Sequence, residues 1–292
     1  MKMTQTDMID TGQLQVRVTS SIGFLPIADA SIEISYTGDP NSVIETLSTD
    51  ENGISETIDL STPPLEYSMT PSENQPYSEY TIKVSAPDYN TLTITGAELM
   101  ATITSIQNVN LTPLLAQENP VDVLTIGPHT LFGNYPPKIA ESEIKPLDES
   151  GEIVLSRVVI PEYIIVHDGS VTDTTASNYY VKYKDYIKNV ASCEIYSTWP
   201  RSTIEANVLA IMSFTLNRVY TEWYRNKGYD FTITSSTAFD HKWIKGKNTF
   251  DSINEVVDEI FTNYLSRPNI SQPILTQYCD GKKVSCPNWM PL

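Results

Sequence analysis

The stretch 182–225, KYKDYIKNVASCEIYSTWPRSTIEANVLAIMSFTLNRVYTEWYR, constrains the fold more than any other part of the chain. Tyr183, Tyr186, Ile187 and Val190 recur at three- and four-residue steps, the spacing of one buried helix face. Ile204, Val208, Leu209, Ile211, Met212, Leu216, Val219, Tyr220 and Trp223 repeat that pattern over a longer run. Tyr196–Pro200 separates the two. Ser202-Thr-Ile-Glu205 fits a capping box at the start of the second helix, and Gly228 is the expected stop beyond it. Two helices this apolar need a core to bury them. At the end of the first stands a single acid, Glu194, in the phrase Ala-Ser-Cys-Glu-Ile-Tyr.

The first third of the chain has a different period. Leu14, Val16 and Val18 alternate with Gln15, Arg17 and Thr19, as in a strand with one wet face. Ser31–Tyr36, Glu56–Leu60, Tyr80–Ala86, Leu92–Thr95 and Thr104–Leu111 read as further strands. Asn52-Gly53 supplies a turn suited to positive φ. Short strands at this spacing predict an all-β sandwich over residues 12–113, preceded by a mobile polar tail over 1–11. Residues 114–157 read as a linker, with Asn119-Pro120, Gly127-Pro128, Pro136-Pro137 and an acidic run from Glu141 to Glu152. It is either an extended connector open to proteases or an ordered strap over a neighbouring domain. From residue 158 the pattern mixes types. Glu162–His167 and Phe231–Thr234 read as strands, and Phe250, Ile253, Val257, Ile260, Phe261 and Tyr264 mark a third helix. Pro273–Tyr278 reads as a last strand. Without a βαβ rhythm, residues 158–292 are expected to be an α+β domain.

Charge separates the halves further. The formal net charge is −17, which excludes a nucleic-acid partner held by phosphate contacts. Residues 1–157 hold 6 basic and 22 acidic side chains, whereas 13 basic and 14 acidic ones follow Pro161. The second half is therefore free of strong repulsion toward an anionic polymer. No run reaches membrane-spanning length, and Met1–Gly12 lacks the apolar segment of a secretory signal. Three cysteines are too few for a disulfide scaffold.

Two resemblances attach to these patterns. A strand, Pro26-Ile-Ala-Asp-Ala30, a strand, Thr49–Gly53 and then Ser85-Ala-Pro-Asp-Tyr89 resemble the carboxypeptidase-regulatory, transthyretin-like sandwich. That resemblance implies a folding or docking module without chemistry of its own. Residues 158–292 resemble the catalytic domain of the stage II sporulation protein D (SpoIID) family. The ordered series is Tyr186-Ile187, Glu194, Trp199-Pro200, the helix Ile204–Trp223, Tyr229-Asp230, the loop His241–Gly246, the helix Phe250–Leu265 and Pro273–Tyr278. Together the halves are most similar to the spore cortex-lytic (SleC-like) group of that family. The chain departs from the family helix at Glu205, Asn207 and Met212, where lysine, glutamine and arginine are usual. Some relatives hold zinc in the polar loop; here that loop offers His241 and no cysteine, so neither a metal nor any cofactor is expected.

The SpoIID resemblance implies a lytic transglycosylase that cleaves peptidoglycan glycan strands in the spore cortex during germination. It implies synthesis as a precursor, an activating protease, and peptidoglycan-binding repeats beyond Leu292. The reaction closes a 1,6-anhydro ring on the muramic sugar. One carboxyl donates a proton to the leaving oxygen and then takes one from the 6-hydroxyl, so the second carboxylate of ordinary glycosidases is not required. Glu194 is the expected acid. Cys193, Ile195, Tyr196 and Trp199 are the apolar wall that would keep such a group protonated. Tyr196, Trp199, Asn207, His241, Gln277 and Tyr278 are the expected glycan contacts.

Each residue also has a plainer reading. Glu194 is then a solvated carboxylate at a helix end, Trp199 and Pro200 are structural, and Gln277 and Tyr278 belong to a central strand. His241 pairs with Asp240 at the surface, or joins Cys193, Cys279 and Cys286 around a zinc ion in a metal-dependent hydrolase. A Cys279–Cys286 disulfide would instead leave Cys193 a buried thiol. A non-catalytic wall or coat protein docking through its sandwich completes the set.

Overall fold

The computed structural model describes residues 9–70, 74–114, 121–129, 131, 154–279 and 290–291. Along the chain run β1 (Asp10–Ser20), β2 (Ser31–Tyr36), β3 (Asp39–Ser48), β4 (Ile58–Thr62), the short helix α1 (Glu66–Met69), β5 (Tyr77–Ser85), β6 (Thr91–Met100), β7 (Thr104–Leu111) and β8 (Val121–Thr125). Then come β9 (Tyr163–His167), β10 (Asn178–Lys182), α2 (Tyr183–Glu194), α3 (Arg201–Tyr220), β11 (Ile233–Thr234), β12 (Thr249–Phe250), α4 (Asp251–Ile260), β13 (Tyr278–Cys279) and β14 (Met290–Pro291). The fold is β-rich and multidomain, with three mixed sheets and a two-stranded parallel pair among the described residues. It divides into two compact units. The first takes Met1–Pro128, Tyr196–Trp199 and Lys245–Ser252; the second takes His129–Ile195, Pro200–Ile244 and Ile253–Leu292. No helix among the described residues is long and apolar enough to cross a membrane.

In the first unit the period-two alternation builds two sheets, ordered β12-β7-β1-β4 and β3-β2-β5-β6-β8. Leu14, Val16 and Val18 of β1, Ile32 and Ile34 of β2, Ile82 and Val84 of β5, and Ile94 and Leu99 of β6 meet in one core. Each such side chain contributes roughly 1.5–3 kcal/mol by leaving water. The central β1 pairs parallel with β7 and antiparallel with β4. Gly53 lies in the expected turn at φ +73, and a Cβ there would come within 2.3 Å of the Val18 carbonyl oxygen. Asp50 accepts the Ile54 and Asn52 amides across that turn, which holds its carboxyl below the usual range.

Several expectations are corrected. β8 forms inside the stretch read as linker and pairs parallel with β6. β3 was not expected because all but one of its residues are exposed, so it shows no alternation. The proposed capping box is absent: Pro200 is the N-cap, no side chain caps the helix, and Ser202 already lies inside its first turn. α3 ends at Tyr220, so Gly228, at φ +84, closes a separate short 3-10 turn (Arg225–Lys227). The strand read over Pro273–Tyr278 is confined to Tyr278–Cys279. Most of the expected tail, the acidic part of the linker, the Tyr278 side chain and the Cys279–Cys286 pairing lie outside the described residues.

In the second unit, α2 and α3 pack together beside the sheet β10-β9-β11. α3 is buried on every side from Ala210 to Arg218, as expected of a helix running through a core. α4 is amphipathic, burying Ile253, Val256, Val257 and Ile260. Lys184 and Lys188 of α2 meet Asp258 of α4 at 3.4 and 2.7 Å.

Candidate active site at the end of helix α2

Glu194 is the last residue of α2, and Ile195 turns extended directly after it. The carboxylate is largely buried, and its Oε1 accepts the Lys242 amide at 2.8 Å. One helical turn earlier, Asn189 makes a two-way grip on the same loop. Its Nδ2 donates to the Ile244 carbonyl at 2.8 Å, and its Oδ1 accepts the Ile244 amide at 3.1 Å. The 242–244 segment is thus fastened along α2 by two side chains that the helix presents five residues apart. Cys193, buried between them in sequence, directs its Sγ toward Asn189 Oδ1 at 3.6 Å.

A buried polar network braces the start of this loop. Asp240 is fully buried. Its Oδ1 accepts Arg218 Nε at 2.7 Å, and its Oδ2 accepts Tyr224 Oη at 2.6 Å, the Thr234 amide at 2.9 Å and Thr234 Oγ1 at 2.7 Å. Arg218 also donates to the Phe239 carbonyl at 3.0 Å. A buried ion pair is tolerable only when its remaining hydrogen-bonding capacity is met, and here Tyr224, Thr234 and the Phe239 carbonyl supply further partners. Next in the chain, His241 is fully buried, its ring 4.5 Å from that of Phe214 and its Nδ1 3.2 Å from Tyr186 Oη. Burial, then the charges of Asp240 and Glu194, push the Tyr186 phenol well above its ordinary range. Glu194 is therefore electrostatically linked to the buried cluster through Tyr186.

The expected site residues are distributed as follows. Glu194 and His241 share the second unit, linked through the loop 241–242 and Tyr186. His241 does not form the expected surface pair with Asp240: both are buried and turn to different partners. Tyr196 and Trp199, expected as wall and glycan contacts, belong to the first unit. Their rings meet edge-on at 5.8 Å, and Trp199 Nε1 donates to the Ser68 carbonyl at 2.9 Å. Of the expected wall, Cys193 and Ile195 are buried in the second unit. Asn207 is half-buried on α3 and donates back to the Thr203 carbonyl at 2.8 Å. Gln277 is buried. Among the described residues no three His, Cys, Asp or Glu side chains stand together as a metal-holding group. A cleft of about 200 Å³ on the second unit is lined by Tyr163, Trp223, Tyr224, Arg225 and Phe231 among others, and by none of the expected site residues.

Sequence reasoning missed Arg218, Tyr224, Thr234 and Asn189. One signal was available. Arg218 falls on the stripe Ile204–Val208–Ile211–Thr215–Arg218, a charge on a buried face, and such a charge requires a buried partner.

No family model matches the chain, and no curated protein matches it. Similar solved structures include the Bacillus anthracis TIE protein, at 13% identity and a TM-score of 0.25, over 36% of this chain and 17% of that one. They also include GBS52, the minor pilin of Streptococcus agalactiae, at 14% identity and a TM-score of 0.26, over 39% and 49%. A third is the 3-chlorocatechol 1,2-dioxygenase of Rhodococcus opacus, at 13% identity and a TM-score of 0.25, over 39% and 64%. The chain spans less than two thirds of the length of each.

Proposed function

We propose that the second unit is a peptidoglycan lytic transglycosylase and that Glu194 is its acid and base. The observation that carries this reading is the fastening of a largely buried carboxylate by the Lys242 amide, in a loop braced by buried groups. Preorganisation of this kind serves a group that must meet a sugar oxygen in a fixed geometry. Glu194 donates its proton to the oxygen leaving the muramic sugar. It then accepts the proton of the muramic 6-hydroxyl as that oxygen closes on the anomeric carbon. No water is consumed. The nearly balanced charge of the second half is compatible with an anionic glycan.

The first unit, in this reading, is a transthyretin-like sandwich without chemistry, and the acidic half of a precursor activated by proteolysis in the spore. Its two-sheet core and strongly negative balance fit a docking or pro-region role.

Glu194→Gln in the full chain is the test, because the amide oxygen still accepts the Lys242 N–H and the loop keeps its fastening. Release of anhydro-muropeptides from spore cortex, followed by mass spectrometry, should fall by about 10²–10⁴-fold. Undiminished release by the Gln variant would overturn the role of Glu194. Products one water heavier would replace the transglycosylase with a hydrolase.

A further inference from the structure

The first unit is completed by residues far away in the chain. β12 adds to the edge of the β12-β7-β1-β4 sheet, with Thr249 opposite Ile106 and Phe250 opposite Ser105, and Phe250 is fully buried. Just before it, Asn248 takes both backbone groups of Glu98: its Oδ1 accepts the Glu98 amide at 3.0 Å and its Nδ2 donates to the Glu98 carbonyl at 2.7 Å. Gln107 of β7 donates to the Gly246 carbonyl at 3.0 Å. Gly246 sits at φ +73 with Leu124 Cδ2 only 2.0 Å from where a Cβ would be. A Cβ there would have to push the Leu124 side chain aside, on a backbone conformation that side chains rarely adopt.

Charge makes the fit specific. Glu98 of β6 lies directly opposite Glu79 of β5, so the two carboxyls share one face. Lys247 reaches this face and pairs with Glu98, and both side chains of the pair are wholly buried. Glu79 feels the result: burial and then the Glu98 charge raise its carboxyl, while Lys247 draws it back. A second stretch adds to the grip. Thr198 Oγ1 donates to Ser68 Oγ at 2.7 Å, and the Trp199 indole donates to the Ser68 carbonyl.

We propose that residues 245–252 are a strand-shaped ligand built into the chain for the first unit, a non-covalent latch. A backbone break between residues 132 and 153 therefore leaves the amino-terminal and carboxyl-terminal pieces attached. The paired strand, the two-way Asn248 grip and the buried charge pair all survive such a break, because none of them lies near it in the chain. Proteolysis in that stretch is then a nick rather than a release, and shedding the first unit takes a further step that withdraws Lys247 from Glu98. The inference concerns binding and holds whatever reaction the second unit performs.

The test uses the whole chain made as two co-expressed polypeptides, 1–143 with an affinity tag and 144–292 without one. The untagged piece should co-purify in equal amount and stay with its partner through size exclusion at micromolar concentration. Lys247→Met leaves Glu98 buried without its cation and should raise the dissociation constant of the pieces at least tenfold. Glu98→Met with Lys247→Met removes both charges and should recover most of the loss. The same variants in the unbroken chain, followed by thermal unfolding, show that each still folds. Pieces that part or precipitate without their partner overturn the latch. So does a Lys247→Met pair held as tightly as the wild type.

Discussion

Among the described residues each unit holds a wholly enclosed ion pair, and the two pairs are built on opposite plans. Arg218 and Asp240 stand 22 positions apart, and Asp240 is saturated by Tyr224, by both groups of Thr234 and by the guanidinium. Lys247 and Glu98 are separated by more than half the chain, and the ammonium meets the carboxylate as a point charge. A planar fork with fixed donors suits a network that must fix a loop. A single ammonium suits a joint between distant segments, because it tolerates a range of approach. The second unit uses buried charge to hold geometry; the first uses it to hold a strand.

The largest test of that contrast is Arg218→Met. Asp240 would then be buried without its cation, and urea unfolding should show a loss of about 4–5 kcal/mol. Adding Asp240→Met should not recover it, because Tyr224 Oη and both Thr234 donors lose their acceptor at about 1–3 kcal/mol each. Lys247→Met in the unbroken chain should cost less, about 3 kcal/mol, and there Glu98→Met should restore stability to within about 1 kcal/mol of wild type. Equal recovery in both double variants would erase the distinction between the two plans.

A smaller effect, through pH, differs between the units only in degree: burial raises the Tyr80 phenol in the first unit, and two phenols are raised in the second. Burial holds the Tyr183 phenol, and burial with nearby negative charge the Tyr186 phenol, above the ordinary tyrosine range. A raised folded-state value means the stability is complete below the unfolded value near 10 and declines as pH rises above it. The second unit should thus lose about 1.4 kcal/mol per pH unit for each of the two above pH 10. Tyrosinate absorbance and unfolding recorded together would check this. Ionisation of either phenol without unfolding would contradict it.

Much of this was readable before any coordinates. Period-two alternation marks β1, β2, β5 and β7, and the three-four spacing marks α2, α3 and α4, because burial imposes those periods locally. The Glu194 position at a helix end was readable for the same reason. What stayed hidden was non-local. Glu98 stands within the buried run Ala97–Met100, a charge that needs a partner, yet nothing near it in sequence names Lys247. The loop amide that fastens Glu194 belongs to a backbone group, and backbone groups leave no trace in side-chain patterns. Pro200 displaced the capping serine because its own fixed φ already starts the helix.

The late arrival of β12 also sets a timetable for biosynthesis. The strand emerges from the ribosome about 140 residues after β7, its partner. At ordinary elongation speeds the nascent sheet waits roughly ten seconds with an open flank and with Glu98 lacking its cation. During that interval the edge of β7 is a template for any passing strand, and anything that shortens the wait or shields the edge should raise the yield of native chains.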